Sequence, residues 1–264
     1  HPGGPSRNVG TAHGTMTLRG LVLGLALCGA TLALEAPALA RFDVNPNAMS
    51  KVDPGHAALM DVSPGYLLRY NFSNVETCSG SPTSLNVQAP VCSNNGDGTS
   101  TAFFCSGEQL TYSVFLLVYD SVLCTGNVTQ AYVATQDGWD QAGCQAEGGT
   151  STVYGCTAAV GGAVYFDSPA GVSFYSSDDC SGSDFIVGAY DVEGACGTGL
   201  VDSGSIVSCS GSTWTETGCG KKITILSGEE GTCNPSDPND YVLTCDLTAN
   251  LGLTVNDPSV LFGA

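Results

Sequence analysis

Basic residues are scarce in this chain. Of its 264 residues only seven are Lys or Arg, against 25 Asp and Glu, for a formal net charge of −18. No basic cluster interrupts that excess, so phosphate backbones and anionic lipid surfaces find no electrostatic footprint. Histidine is nearly as rare: His1, His13 and His56 are the only three. No Gly-x-Ser-x-Gly elbow accompanies them, which argues against His-dependent nucleophilic catalysis. No Cys-x-x-Cys pair occurs, so the spacing that zinc sites favour is missing as well. Beyond residue 66 no segment carries a convincing helical period.

One apolar stretch stands apart. After residues 1–15, which read as a leader or translated upstream sequence, Met16 and Arg19 precede an apolar run from Leu21 to Leu34. That run is short for a membrane span and leads to Ala38-Leu39-Ala40. Residues 16–40 are therefore expected to be a secretory signal cleaved after Ala40. The remaining 224 residues would carry five basic side chains against 24 acids. Residues 41–64, with three Pro and no Cys, read as an arm or linker.

What the chain does have is cysteine. Cys28 lies in the signal, and twelve follow: Cys78, Cys92, Cys105, Cys124, Cys144, Cys156, Cys180, Cys196, Cys209, Cys219, Cys233 and Cys245. An even number in an exported chain reads as a disulfide framework. Taken in threes they show a rhythm. The first gap is 14, 20, 16 or 14 residues, and the second is 13, 12, 13 or 12. Tyr119, Tyr175 and Trp214 each stand five residues before the first Cys of a set, and Phe72 stands six before. Ser79-Gly80, Thr125-Gly126 and Ser181-Gly182 follow it, with Gly220-Lys221 as the degenerate copy.

Four divergent copies of one unit account for this rhythm, at 65–110, 111–160, 161–211 and 212–248, leaving 249–264 as a tail or a further truncated copy. Each copy reads as about three short strands: one leading into the first Cys, one between the first two, and one ending at the third. The expectation is an all-β protein of stacked or sandwich-like units, with a small closed propeller-like ring as the alternative. Three cysteines cannot all pair within one unit. If all twelve are oxidised, at least two of the six disulfides must join different units.

Candidate chemistry is thin. "GLVDSGS", Gly199 to Ser205, resembles the catalytic loop of aspartic proteases over those seven residues, which would make Asp202 a hydrolytic carboxylate. The second Asp-Thr/Ser-Gly is missing, and the motif also fits an ordinary Gly-rich turn. Acidic pairs at Asp137 and Asp140, Asp178 and Asp179, Glu229 and Glu230, and Asp237 and Asp240, with Asn94, Asn95 and Asp97, offer oxygen ligands. Calcium is thus the one cofactor to weigh, though no EF-hand loop is present. The sequons at Asn71 and Asn127 would be glycan sites on exposed turns of a secreted protein. Tyr119, Tyr175 and Trp214 would stack on sugars if exposed, and would plug the core if buried.

The sequence thus points away from an enzyme and toward a secreted structural or interaction protein of the cell surface, matrix or a fibril. A lectin-like glycan- or ligand-binding module is the alternative, and a secreted inhibitor or an Asp202 hydrolase is more remote. Expected partners are an extracellular protein, a polysaccharide, or another copy of the chain.

Overall fold

The computed structural model describes residues 50–55, 65–74, 77–108, 110–135, 144–147, 149–159, 161–181, 185–197, 204–220, 224–236 and 239–263. All belong to the compact unit Ala33–Ala264; the unit His1–Leu32, which holds most of the expected signal, lies outside the described residues.

The regular structure among the described residues is nearly all strand. An arm strand comes first, β1 (Ser50–Val52). Then follow β2 (Gly65–Phe72), β3 (Ser84–Gln88), β4 (Val91–Asn94) and β5 (Ser100–Glu108). Next are β6 (Thr111–Tyr119), β7 (Val128–Thr135), β8 (Gln145–Glu147) and β9 (Thr150–Ala158). After β10 (Ala163–Tyr165) come β11 (Pro169–Tyr175), β12 (Phe185–Val192), β13 (Cys196–Gly197) and β14 (Ser205–Ser210). The last set is β15 (Thr213–Gly218), β16 (Thr224–Glu229), β17 (Cys233–Asn234) and β18 (Asp240–Thr244). The chain closes with helix α1 (Leu247–Leu251), β19 (Thr254–Asn256) and the one-turn α2 (Ser259–Phe262).

Antiparallel pairing joins eight of these strands in the order β8-β9-β2-β3-β12-β11-β18-β17. A second sheet runs β4-β5-β6-β7-β1 and touches the first through the single pair Gly65 and Cys105. A third runs β13-β14-β15-β16. No closed barrel or propeller is formed among the described residues, so the ring alternative is set aside.

Side-chain alternation decides what each face buries. On β2, Leu67 joins Phe103, Cys105, Val114, Leu116, Tyr154 and Cys156 in a core between the eight-stranded sheet and the second sheet. Ala170, Val172, Phe174, Val187 and Leu243 do the same against Val207 and Trp214 of the third sheet. The opposite face carries Tyr66, Leu68, Tyr70, Phe72, Leu85, Val87 and Tyr190. Leu247, Leu251, Leu253 and Phe262 from the C-terminal segment cover that face. Phe262 stands edge-on to Tyr70 and Phe72, with ring centroids 5.0 and 5.1 Å away. The segment read as a tail is thus the lid of the largest core.

A hydrogen-bond chain, buried at its Ser173–Tyr190 end, fixes that lid. The Tyr175 hydroxyl donates to Asn250 Oδ1 at 2.8 Å, Asn250 Nδ2 donates to Ser173 Oγ at 2.6 Å, and Ser173 Oγ lies 2.7 Å from the Tyr190 hydroxyl. Burial pushes the Tyr175 hydroxyl up to about 12 and the Tyr190 and Tyr70 hydroxyls higher still, so all three stay neutral at ordinary pH. Helix α1 starts on Asp246, whose carboxylate accepts from the backbone of Thr248 and Ala249, and ends on left-handed Gly252.

All twelve cysteines are paired: Cys78–Cys144, Cys92–Cys124, Cys105–Cys156, Cys180–Cys233, Cys196–Cys219 and Cys209–Cys245. Two of the bonds, Cys105–Cys156 and Cys209–Cys245, cross between sheets. The other four each tie the turn after one strand to a short strand two places away in the same sheet. Those short strands, β4, β8, β13 and β17, were not expected, and neither was β1 inside the stretch read as an arm.

The Cys105–Cys156 clamp leaves no room above the start of β2. A Cβ on Gly65 would stand 2.5 Å from the Thr157 carbonyl and 3.1 Å from Cys156 Sγ. Gly65→Ala must therefore push backbone apart, and is expected to lower stability by roughly 1–3 kcal/mol in guanidinium unfolding with disulfides intact.

Candidate functional site

Two turns with matching cysteines mark where the chain presents side chains. Each follows the strand that leads into the first Cys of a set: Asp120–Asn127 after β6, and Ser176–Ser181 after β11. In both turns the cysteine itself adopts the left-handed region, with φ 52° at Cys124 and 49° at Cys180. A non-glycine residue there is strained unless its surroundings hold it. The holding groups are visible. Cys124 is bonded to Cys92, and its backbone N–H donates to the buried Ser100 hydroxyl at 2.7 Å. Cys180 is bonded to Cys233, and its N–H donates to the Ser177 carbonyl at 3.3 Å.

Carboxylates close each turn. Asp120 accepts from the Asn127 backbone at 2.9 Å and from Asn127 Nδ2 at 3.0 Å, while its own N–H donates to the Asn127 carbonyl at 3.1 Å. The Ser121 hydroxyl donates to the Thr125 carbonyl. Gly126, at φ 93°, is required twice over, because a Cβ there would lie 2.6 Å from Asp120 Oδ1. In the sister turn Asp179 accepts from Ser177 Oγ at 2.8 Å and from the Ser181 N–H at 3.0 Å. These bonds hold the Asp120 and Asp179 carboxyls below the ordinary value of 3.8.

The frames match, but the tips differ. The first turn exposes Val122 (42%) and Leu123 (73%), two of the three exposed large apolar side chains among the described residues. The second exposes Asp178 and Asp179 instead. Sequence reasoning passed over Val122 and Leu123. The available signal was an apolar pair inside a turn of Asp, Ser, Thr and Gly.

The residues singled out from sequence fall into three groups. Trp214 and Tyr175 are wholly buried and Tyr119 is half-buried against Leu117 and Ala131, so no row of open rings exists for sugars to stack on. The ligand-binding role considered for Tyr175 and Trp214 gives way to core packing. Asn71 lies inside β2, paired on both sides, with its amide donating to Ser84 Oγ at 2.9 Å and accepting from Thr152 at 3.0 Å. That corrects its placement on an exposed turn, because a half-buried amide already engaged has no open approach. Asn127 is exposed on its turn. His56, Asp202, Asp137, Asp140 and Asp237 lie outside the described residues.

The oxygen-rich turns are occupied by their own chain. Asp97 accepts from the Thr99 N–H and hydroxyl, Asn94 from Gly96, Asp240 from Ser236, and Glu230 from Cys245. Cys180, Cys233 and Asp240 gather potential ligand atoms within 4.8 Å, but the two sulfurs are bonded to each other and offer no thiolate. No helix among the described residues is long and apolar enough to cross a membrane. No protein-family model matches the chain, and neither a curated protein nor a solved structure proved similar to it.

Two outcomes are expected. Trp214→Ala should cost about 3–5 kcal/mol of stability in denaturant unfolding, as the loss of a buried core aromatic does. The Asp120 carboxyl is depressed, so its contribution is complete above 3.8 and fades as pH falls through its lower folded value. The protection factor of the Asn127 amide, taken against its intrinsic exchange rate at each pH, should accordingly fall in that acid range, and Asp120→Ala should leave it low at every pH.

Proposed function

We propose that the chain is an exported, disulfide-stapled scaffold: a structural or interaction component outside the cell, with no catalytic role, built from four divergent copies of one β unit. The observation that carries this reading is the cystine map. In each half of the chain the first cysteine of one set bonds the second of the next, the second bonds the first, and the third bonds the third. Chance pairing would have no reason to repeat that scheme. Strand pairing supports the same division. In each set the first strand pairs with the second, as in β2–β3 and β15–β16, and the third with the fourth, as in β4–β5 and β17–β18. The fourth pairs with the first strand of its partner set, in β5–β6, β9–β2, β14–β15 and β18–β11.

Six disulfides belong to an oxidising compartment, and each contributes about 2–4 kcal/mol to a core rich in Gly and strand ends. The signal proposed at residues 16–40 supplies the route. Extracellular protein or polysaccharide is the partner class, met through turn tips and sheet edges, because the repeated aromatics are committed to the core. The test is expression in a secreting host. The product is expected in the medium, beginning at Arg41, with these six bonds by non-reducing mass mapping. Reduced protein retained inside the cell would overturn the reading.

A further inference from the structure

The second strand of each set, β3, β7, β12 or β16, stands with one side against its own first strand and the other turned outward. Three of these outward edges are covered. Those of β3 and β12 cover each other, antiparallel, Ser84–Gln88 against Val187–Asp191. That of β7 is covered by β1, with Ser50–Val52 against Ala131–Val133. The fourth, on β16, ends its sheet with no further strand among the described residues.

The backbone of β16 is set up for a partner. The Glu230 N–H donates inward to the Ser212 carbonyl at 2.8 Å. Antiparallel alternation then turns Gly228 and Leu226 inward too, and points the N–H and C=O of Ser227 and Glu229 away from β15. A bulge at the second residue is shared by β7, β12 and β16, where the register skips Thr129, Ile186 and Ile225. In β7 the outer partner pairs beyond that bulge, at Ala131–Val133. In β12 the ladder likewise begins at Val187, with one further bond at the bulge itself, where the Ala89 N–H donates to the Ile186 carbonyl at 2.9 Å. The corresponding stretch of β16 is Leu226–Glu229.

We propose that this edge pairs with the same edge of a second copy of the chain, antiparallel, to make a two-fold dimer. The β3–β12 junction is the template, since it is an antiparallel union of two of these same second strands within one chain. Donation of an arm strand is the competing occupant, but β1 is already engaged on its own β7. Charge order selects the direction. In the sequence Lys221-Lys222 precede this strand and Glu229-Glu230 close it, with five uncharged residues, Thr224–Gly228, within the strand before Glu229. Antiparallel union centred within Leu226–Glu229 offsets the two Glu229 carboxylates, whereas parallel in-register union sets them side by side. The inference deepens the scaffold reading, from which it takes only the correspondence of the four second strands.

Sedimentation of the full oxidised chain over a concentration series tests it, with the disulfide map checked for every variant. A reversible monomer–dimer equilibrium is expected. Ser227→Pro removes an outward N–H and no bond to β15, so the fold should survive. Its dimer should be weaker by at least about tenfold, two mirrored hydrogen bonds being lost. The Ser227 and Glu229 amides should gain exchange protection as wild type is concentrated. A chain that stays monomeric throughout, or a dimer indifferent to Ser227→Pro, overturns the proposal. Either result leaves the scaffold reading standing if export and the six disulfides are found.

Discussion

Three cysteines cannot satisfy one another, and most of this structure follows from that parity. Each set of three must send bonds to another, and here every bond leaves its own set. The solution gives each half three bonds in two kinds. One clamp crosses between sheets, at Cys105–Cys156 or Cys209–Cys245, and one staple runs along each of the two sheets. The clamp resists separation of the layers, and the staples resist loss of the short edge strands. Gly65 shows how tightly the clamp seats, since a methyl group would meet both backbone and sulfur there.

Hydrogen bonding repeats the exchange that the cystines impose. A set contributes its first two strands to one sheet and its last two to the other. β2 and β3 therefore lie beside β9 and β8, while β5 and β4 lie beside β6 and β7. No set can complete a sheet alone, so the halves must fold as pairs. The sequence separations bridged by the disulfides, from 23 to 66 residues, put most of the stabilising contacts far apart along the chain. Such a topology closes long loops before the contacts reward it, which slows folding and favours assisted oxidation.

Much of this was legible in the sequence, and the failures have physical causes. The alternating run Ser84–Gln88 and the β-branched and aromatic run Thr111–Tyr119 identified their strands directly. The strands at the second cysteines were invisible because two to four residues cannot display a period. β1 was hidden in a Pro-rich context, where pairing depends on an edge that the local sequence does not reveal. The C-terminal lid lacked any repeat signature, and only the exposed apolar face of the sheet explains why Leu247 and Phe262 are buried. Cysteine parity required that some bonds cross between sets, but which partners they choose depends on strand order, which spacing does not encode. The turns were harder still. Tyr119 and Tyr175 hold the same place in the sequence, yet one is half-buried and the other wholly so, because only the second lies beneath the lid.

The frame repeats while its tips diverge, and that division locates where recognition can vary. Cys124 and Cys180 share a left-handed backbone and an aspartate-closed turn, so the two loops are held at similar cost and by similar means. On that common support one loop presents Val122 and Leu123, and the other Asp178 and Asp179. Apolar side chains on a turn held by a cystine and hydrogen bonds lose little further entropy on contact, so they gain most of their burial as affinity. Paired carboxylates on an equally rigid turn repel acidic surfaces and leave cationic ones as partners. The outer edges diverge in the same way, three covered within the chain and one without a further strand among the described residues. The proposed scaffold, repeating its core and varying its margins, would join unlike partners without changing how it folds.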